Sequence, residues 1–195
     1  MWYEHTSVCV FCASGQHVDD SYHEAARELG RLLAEHGWVC VNGGGAMGLM
    51  RAVSDGAIGA GGRVLGVIPK FMVDNGWCYD RLEEVLITAD MHERKKQMQD
   101  VADAIVALPG GCGTLEELLE VITWRQLGII TKPVVILNVG GYYDPLIAML
   151  NRCVEQQFMK ASHATLWSVA ATAREAVDII ASQLENGVPR ADSKL

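Results

Sequence analysis

Short apolar runs, most of them ending near glycine or a small polar residue, alternate with stretches of helical period along nearly the whole chain. The runs at 7–13, 38–41, 63–68, Glu84–Thr88, 104–108 and 133–138 read as strands. Several are unbroken by polar residues, as happens when both faces of a sheet are covered. Between them the spacing predicts helices at 21–36, 47–60, 90–101, from a glycine-rich turn at 109–113 to about 127, at 144–157 and at 173–184. In the first of these, Ala25, Leu29, Leu32 and Leu33 share one side, and Gly37 supplies the stop. The stretch 70–81 has no clear period and reads as an excursion loop. Alternating strands and helices imply an α/β fold with a mostly parallel sheet and helices on both faces. One domain over 1–185 is expected, followed by a flexible tail at 186–195.

With 195 residues, such a domain can bury a sufficient core without disulfides or metals. The net charge of −8 argues against nucleic acid or an anionic membrane as partner, so any anionic ligand must be met locally. No apolar run approaches bilayer length. The start, Met1-Trp2-Tyr3-Glu4-His5, lacks the basic and apolar regions of a secretory signal. The six cysteines lie mostly within apolar segments, as reduced core thiols do, which suits a cytoplasmic location. Cys9 and Cys12 are three apart in a strand and should point to opposite faces, against a redox or zinc pair. No histidine, cysteine and carboxylate spacing suggests a metal. The final Ser193-Lys194-Leu195 matches a peroxisomal address, a three-residue pattern that often arises by chance.

In parallel sheets, ligands bind beyond the carboxyl ends of the strands. Four loops fall there and can face one crevice: Ser14-Gly15, 42–48, 90–94 and 109–114. The last reads Pro109-Gly110-Gly111-Cys112-Gly113-Thr114 and opens a helix. Glycines let backbone N–H groups approach a phosphate closely, at the helix end whose dipole favours an anion. Glu117 follows, and two readings of it stand open. Thr114 and Glu117 have the spacing of a capping box, in which neither does chemistry. Alternatively Glu117, kept ionised by the positive helix end, acts as a base or stabilises positive charge. Arg94 sits early in the predicted 90–101 helix, where a cation opposes the dipole unless an anion is bound nearby, and its planar fork suits a phosphate or carboxylate.

Gly43 to Gly48 fits G-x-G-x-x-G, but it follows the second strand and lacks the later acid that would hold a ribose, which disfavours NAD. Neither glycine loop continues into Lys-Ser or Lys-Thr, which excludes a P-loop. There is no serine-hydrolase elbow. None of the six lysines has a recognisable pyridoxal phosphate setting. Trp124, two turns beyond Glu117, either walls a pocket or fills the core.

Taken together, Gly43 to Met50, Met91 to Met98 and Pro109 to Glu117 resemble the LONELY GUY (LOG) family of cytokinin riboside 5′-monophosphate phosphoribohydrolases, long mislabelled lysine decarboxylases. The P-G-G-x-G-T-x-x-E signature is matched in full. The resemblance implies a Rossmann-like homodimer that hydrolyses the N-glycosidic bond of a purine nucleoside 5′-monophosphate, without cofactor or metal. It assigns catalysis to Arg94 and Glu117, and nucleotide contacts to Gly44, Gly45, Gly110, Gly111, Gly113 and Thr114. Ser14, Met91 and Lys95 are counted with these contacts, although the first strand ends in Cys12-Ala13-Ser14-Gly15 where the family commonly has a Gly-Ser-Ser-type turn. A non-catalytic nucleotide or cofactor carrier on the same fold is the rival reading; the presence of both Arg94 and Glu117 argues against it.

Overall fold

The computed structural model describes residues 4–189. Seven strands form a single sheet: β1 (Ser7–Phe11), β2 (Val39–Asn42), β3 (Val64–Pro69), β4 (Glu84–Thr88), β5 (Ala104–Ala107), β6 (Val134–Leu137) and β7 (Ser168–Ala170). Their order is β4-β3-β2-β1-β5-β6-β7, and every neighbouring pair is parallel. The α/β fold with helices on both faces is therefore what forms.

Alternation along each strand divides the core in two. Val8, Val10, Cys40, Val106 and Leu137 face α1 (Asp20–Glu35), α2 (Gly48–Gly59) and α7 (Ala173–Asn186). Cys9, Phe11, Val41, Ile105 and Ile136 face α4 (Met91–Asp100), α5 (Cys112–Gln126) and α6 (Asp144–Glu155). Most side chains in each layer are fully buried, and a Leu or Phe among them contributes about 1.5–3 kcal/mol. Cys9 and Cys12 fall in opposite layers and both are free thiols. Burial pushes both well above the ordinary thiol range.

Two short elements depart from the sequence reading. The expected loop at 70–81 begins as a helix, α3 (Lys70–Asp74), and then returns towards the β2 turn. There Ala46 donates to the Trp77 carbonyl at 3.0 Å, Tyr79 donates to the Gly44 carbonyl at 2.9 Å, and Gly45 bridges Cys78. Strand β7 spans three residues on one edge of the sheet. Segments of three or five residues are too short to display a period. Helix α7 runs to Asn186; of the expected tail, 190–195, including Ser193-Lys194-Leu195, lie outside the described residues. Among the described residues, no helix is long and apolar enough to cross a membrane.

Candidate active site

Strand order reverses between β1 and β5, the position at which a doubly wound sheet opens a crevice. A cavity of about 470 Å³ lies there, walled by the β1, β2 and β5 turns and by α4 and α5.

Helix α4 starts where it does because Asp90 caps its entrance. The Asp90 carboxylate accepts from the N–H groups of His92 (2.8 Å) and Glu93 (2.9 Å), while Glu93 accepts from Ala89 (2.6 Å). With the helix phased from Met91, residues Met91, Arg94, Lys95 and Met98 fall on one face and line the cavity. His92 is exposed and stands outside that lining.

Arg94 is 7% exposed and is held by main chain: Nε donates to the Val67 carbonyl and Nη2 to the Gly43 carbonyl, both at 3.0 Å. Its Nη1 approaches the Met91 sulfur at 3.7 Å. Among the described residues it forms no ion pair with a carboxylate. Burial pulls its pKa below the ordinary value, and the nearby Glu117 charge pulls it back up. The close seat needs Gly43 bare: a Cβ there would lie 1.8 Å from Nη2.

Helix α5 begins at Cys112 with Gly111 as its N-cap and no side-chain cap. Thr114 is thus the third helical residue and Glu117 the sixth, and the capping-box reading of that pair does not hold. A side-chain N-cap is found instead on α4, at Asp90. Glu117 is half-buried, makes no hydrogen bond among the described residues, and faces the cavity with Gly113 and Thr114, on the stripe that includes i and i+4. Burial raises its carboxyl to about 7, against the pull of Arg94. The expectation that the helix end keeps it firmly ionised is corrected: in the second turn, desolvation outweighs the dipole.

The β5 turn presents the features read from its sequence. The N–H groups of Gly110, Gly111, Cys112, Gly113 and Thr114 have no protein acceptor among the described residues. Gly110 packs so closely on Thr114 that a Cβ would lie 2.1 Å from the threonine hydroxyl. Ser14 is exposed at the cavity mouth. The structure brings Ser14, Met91, Arg94, Lys95, Gly110, Gly111, Gly113, Thr114 and Glu117 to one cavity.

Gly44 and Gly45 are not in its lining; Gly43 is. Gly44, at φ +67°, turns towards Gly66 of β3, and the returning 70–81 segment occupies the outer side of both. Lys95 borders the cavity but its charge is engaged, by Glu116 and by Glu120 at 3.3 Å. Trp124 is half-buried away from the cavity. Sequence reasoning missed Tyr142, on the turn after β6, and Tyr22 of α1. The rule that selects turns at strand carboxyl ends would have found the first. Among the described residues, no group of His, Cys, Asp or Glu is arranged to hold a metal ion.

The family model described as "Possible lysine decarboxylase" matches residues 50–180. A cytokinin riboside 5′-monophosphate phosphoribohydrolase of Arabidopsis thaliana is 46% identical over 170 residues, covering 87% of this chain and 79% of its own. One from Oryza sativa subsp. japonica is 46% identical over 182 residues, covering 93% and 74%. Among solved structures, the molybdenum cofactor binding protein of Rippkaea orientalis superposes with a TM-score of 0.72 at 23% identity, covering 92% of this chain and 98% of its own; that likeness concerns the fold alone. By family model and by sequence identity over most of its length, the chain belongs to the LONELY GUY family, the group also described as possible lysine decarboxylases.

Proposed function

We propose that the protein hydrolyses the N-glycosidic bond of a purine nucleoside 5′-monophosphate, AMP or an N6-substituted AMP of cytokinin type, to free base and ribose 5-phosphate. The observation that carries this reading is the meeting of Arg94 and Glu117 across one cavity beside a turn whose backbone N–H groups have no acceptor among the described residues. The relatives' named activity supports it. A passive carrier would need the turn but not the opposed guanidinium and carboxyl.

In this reading the 5′-phosphate lies on the N–H groups of Gly111 to Thr114, where the α5 dipole favours it. Arg94 has an Nη1 not engaged with backbone and holds the anionic part of the substrate in register, a positioning effect. As the C1′–N9 bond breaks, its electron pair leaves with the base and positive charge builds on the ribose. Ionised Glu117 faces that charge, takes a proton from the attacking water, and so leaves a hydroxyl on C1′. The departing base takes its proton from solvent. The apolar side of the cavity, with Leu49, Met50 and Met98, receives the base. A cytoplasmic homodimer is the setting this function implies, from the family resemblance and the reduced thiols.

Two outcomes test the assignment. Glu117→Gln should lower kcat for base release from AMP by about 10²–10⁴-fold, the usual worth of a general base. In the wild type, kcat/KM should rise with pH up to about 7, as Glu117 loses its proton, and then level. Retained activity in the variant, or a rate falling over that range, contradicts the role.

The same carboxyl affects stability with a definite sign. Its folded pKa of about 7 exceeds the ordinary 4.5, so between those values the folded state binds more protons than the unfolded. Its contribution to stability therefore falls as pH rises from 4.5 to 7. Glu117→Gln should raise the thermal midpoint at pH 8 and lose that advantage at pH 4; equal midpoints at pH 8 would refute the burial effect. Gly43→Ala, which drives a methyl into the Arg94 seat, should cost about 10²-fold in kcat/KM, as misplacing a positioning group by an ångström does. Wild-type kinetics in that variant would show that the seat is dispensable.

A further inference from the structure

We infer that Tyr142 is a positioning residue, whose hydroxyl fixes the orientation of the Gly110–Gly111 peptide so that its N–H faces the phosphate. The inference rests on the proposed use of the β5 turn as the phosphate cradle.

A trans peptide unit is planar, with its carbonyl and N–H pointing in opposite directions. Anchoring the carbonyl therefore aims the N–H. Four consecutive carbonyls at this turn have identifiable donors. The Leu108 carbonyl accepts from the Tyr143 hydroxyl at 2.7 Å, and the Pro109 carbonyl from the Ala13 N–H at 3.3 Å. The Gly110 carbonyl accepts from the Tyr142 hydroxyl at 2.7 Å, and the Gly111 carbonyl from the Leu115 N–H at 3.0 Å. The first of these units ends on Pro109 and has no N–H to aim. The units carrying the N–H groups of Gly110 and Cys112 are secured by backbone. The one carrying the Gly111 N–H is secured by a side chain, and it joins two glycines, whose backbone can rotate freely. Without its anchor that peptide can turn over and direct a carbonyl dipole, rather than an N–H, at an anion.

Tyr142 is itself held in place. Its ring stands edge-on to Tyr22 of α1, with centroids 5.7 Å apart, and to Tyr143, at 5.0 Å. Such pairs favour one relative orientation. Below them Asn138 accepts from the Tyr143 N–H at 2.6 Å and donates to Asp144 at 2.7 Å, which shapes the turn after β6. Tyr143 is fully buried, whereas Tyr142 is 41% exposed and borders the cavity. One tyrosine of the pair thus serves the core and the other the site.

The test is Tyr142→Phe, which keeps the ring and deletes the hydroxyl, with Tyr143→Phe beside it. Calorimetric binding of ribose 5-phosphate and of adenine is measured on both variants, together with steady-state kinetics on AMP. For Tyr142→Phe, the dissociation constant of ribose 5-phosphate and the KM for AMP should rise together by about threefold to tenfold, the worth of one hydrogen bond. Both kcat and adenine binding should stay at wild-type values. Tyr143→Phe should lower the thermal midpoint and leave that selectivity between ligands intact. Unchanged binding of ribose 5-phosphate, an equal loss for adenine, or a fall in kcat with KM unmoved would each overturn the inference. Should the wild type bind ribose 5-phosphate yet release no base from AMP, the hydrolase reading fails while the ribose 5-phosphate comparison still decides the role of Tyr142.

Discussion

Strand order reverses once in this sheet, between β1 and β5, and the helices that follow those two strands leave on opposite faces. A cavity opens beyond the carboxyl ends of those two strands. The cavity is the consequence, and each wall of it arrives by a separate local cause. Asp90 and Glu93 set the start of α4 and hence the phase that turns Arg94 inwards. The β5 turn brings the N-terminus of α5 against the opening, and Glu117 follows on the inward stripe of the same helix.

The charges at the site are balanced by burial rather than by contact pairs. Arg94 spends its donors on the carbonyls of Val67 and Gly43, which fixes the guanidinium without cancelling its charge. Glu117, facing it across the cavity with no hydrogen bond among the described residues, is pushed towards neutrality by the same desolvation. Each group makes the charged form of the other more favourable, as opposite charges in a poorly solvated site do. Lys95, one residue from Arg94, has the opposite fate, since Glu116 and Glu120 occupy its ammonium group. One helix face therefore presents one cation paired with carboxylates and one without an ion pair among the described residues.

Much of this was legible in the sequence, and the failures have physical causes. Continuous apolar runs and glycine stops revealed six of the seven strands, because buried parallel strands and capped helices leave strong local patterns. Strand β7 and helix α3 are too short to do so. The proline–glycine turn with Thr114 and Glu117 pointed to the cavity because its residues lie within nine positions of sequence. Gly44 and Gly45, expected as nucleotide contacts, stand outside the cavity lining, Gly44 against Gly66 of β3 and Gly45 against Met50, and a glycine's sequence does not distinguish such packing from close approach of a ligand. Tyr142 was invisible because its role depends on a hydrogen bond to a residue 32 positions away, which only the folded chain brings together. The state of Glu117 was misjudged because a helix dipole is local in sequence whereas desolvation depends on everything packed around the group.

The central claim is that the β5 turn receives the phosphate and the space between Arg94 and Glu117 receives the ribosyl bond. A crystal structure of the Glu117→Gln protein soaked with AMP tests it most directly. The account predicts phosphate oxygens on the N–H groups of Gly111, Cys112 and Gly113, with C1′ beside residue 117. A phosphate seated instead on the β2 turn at Gly44 and Gly45, or a nucleotide lying outside the cavity, would contradict it.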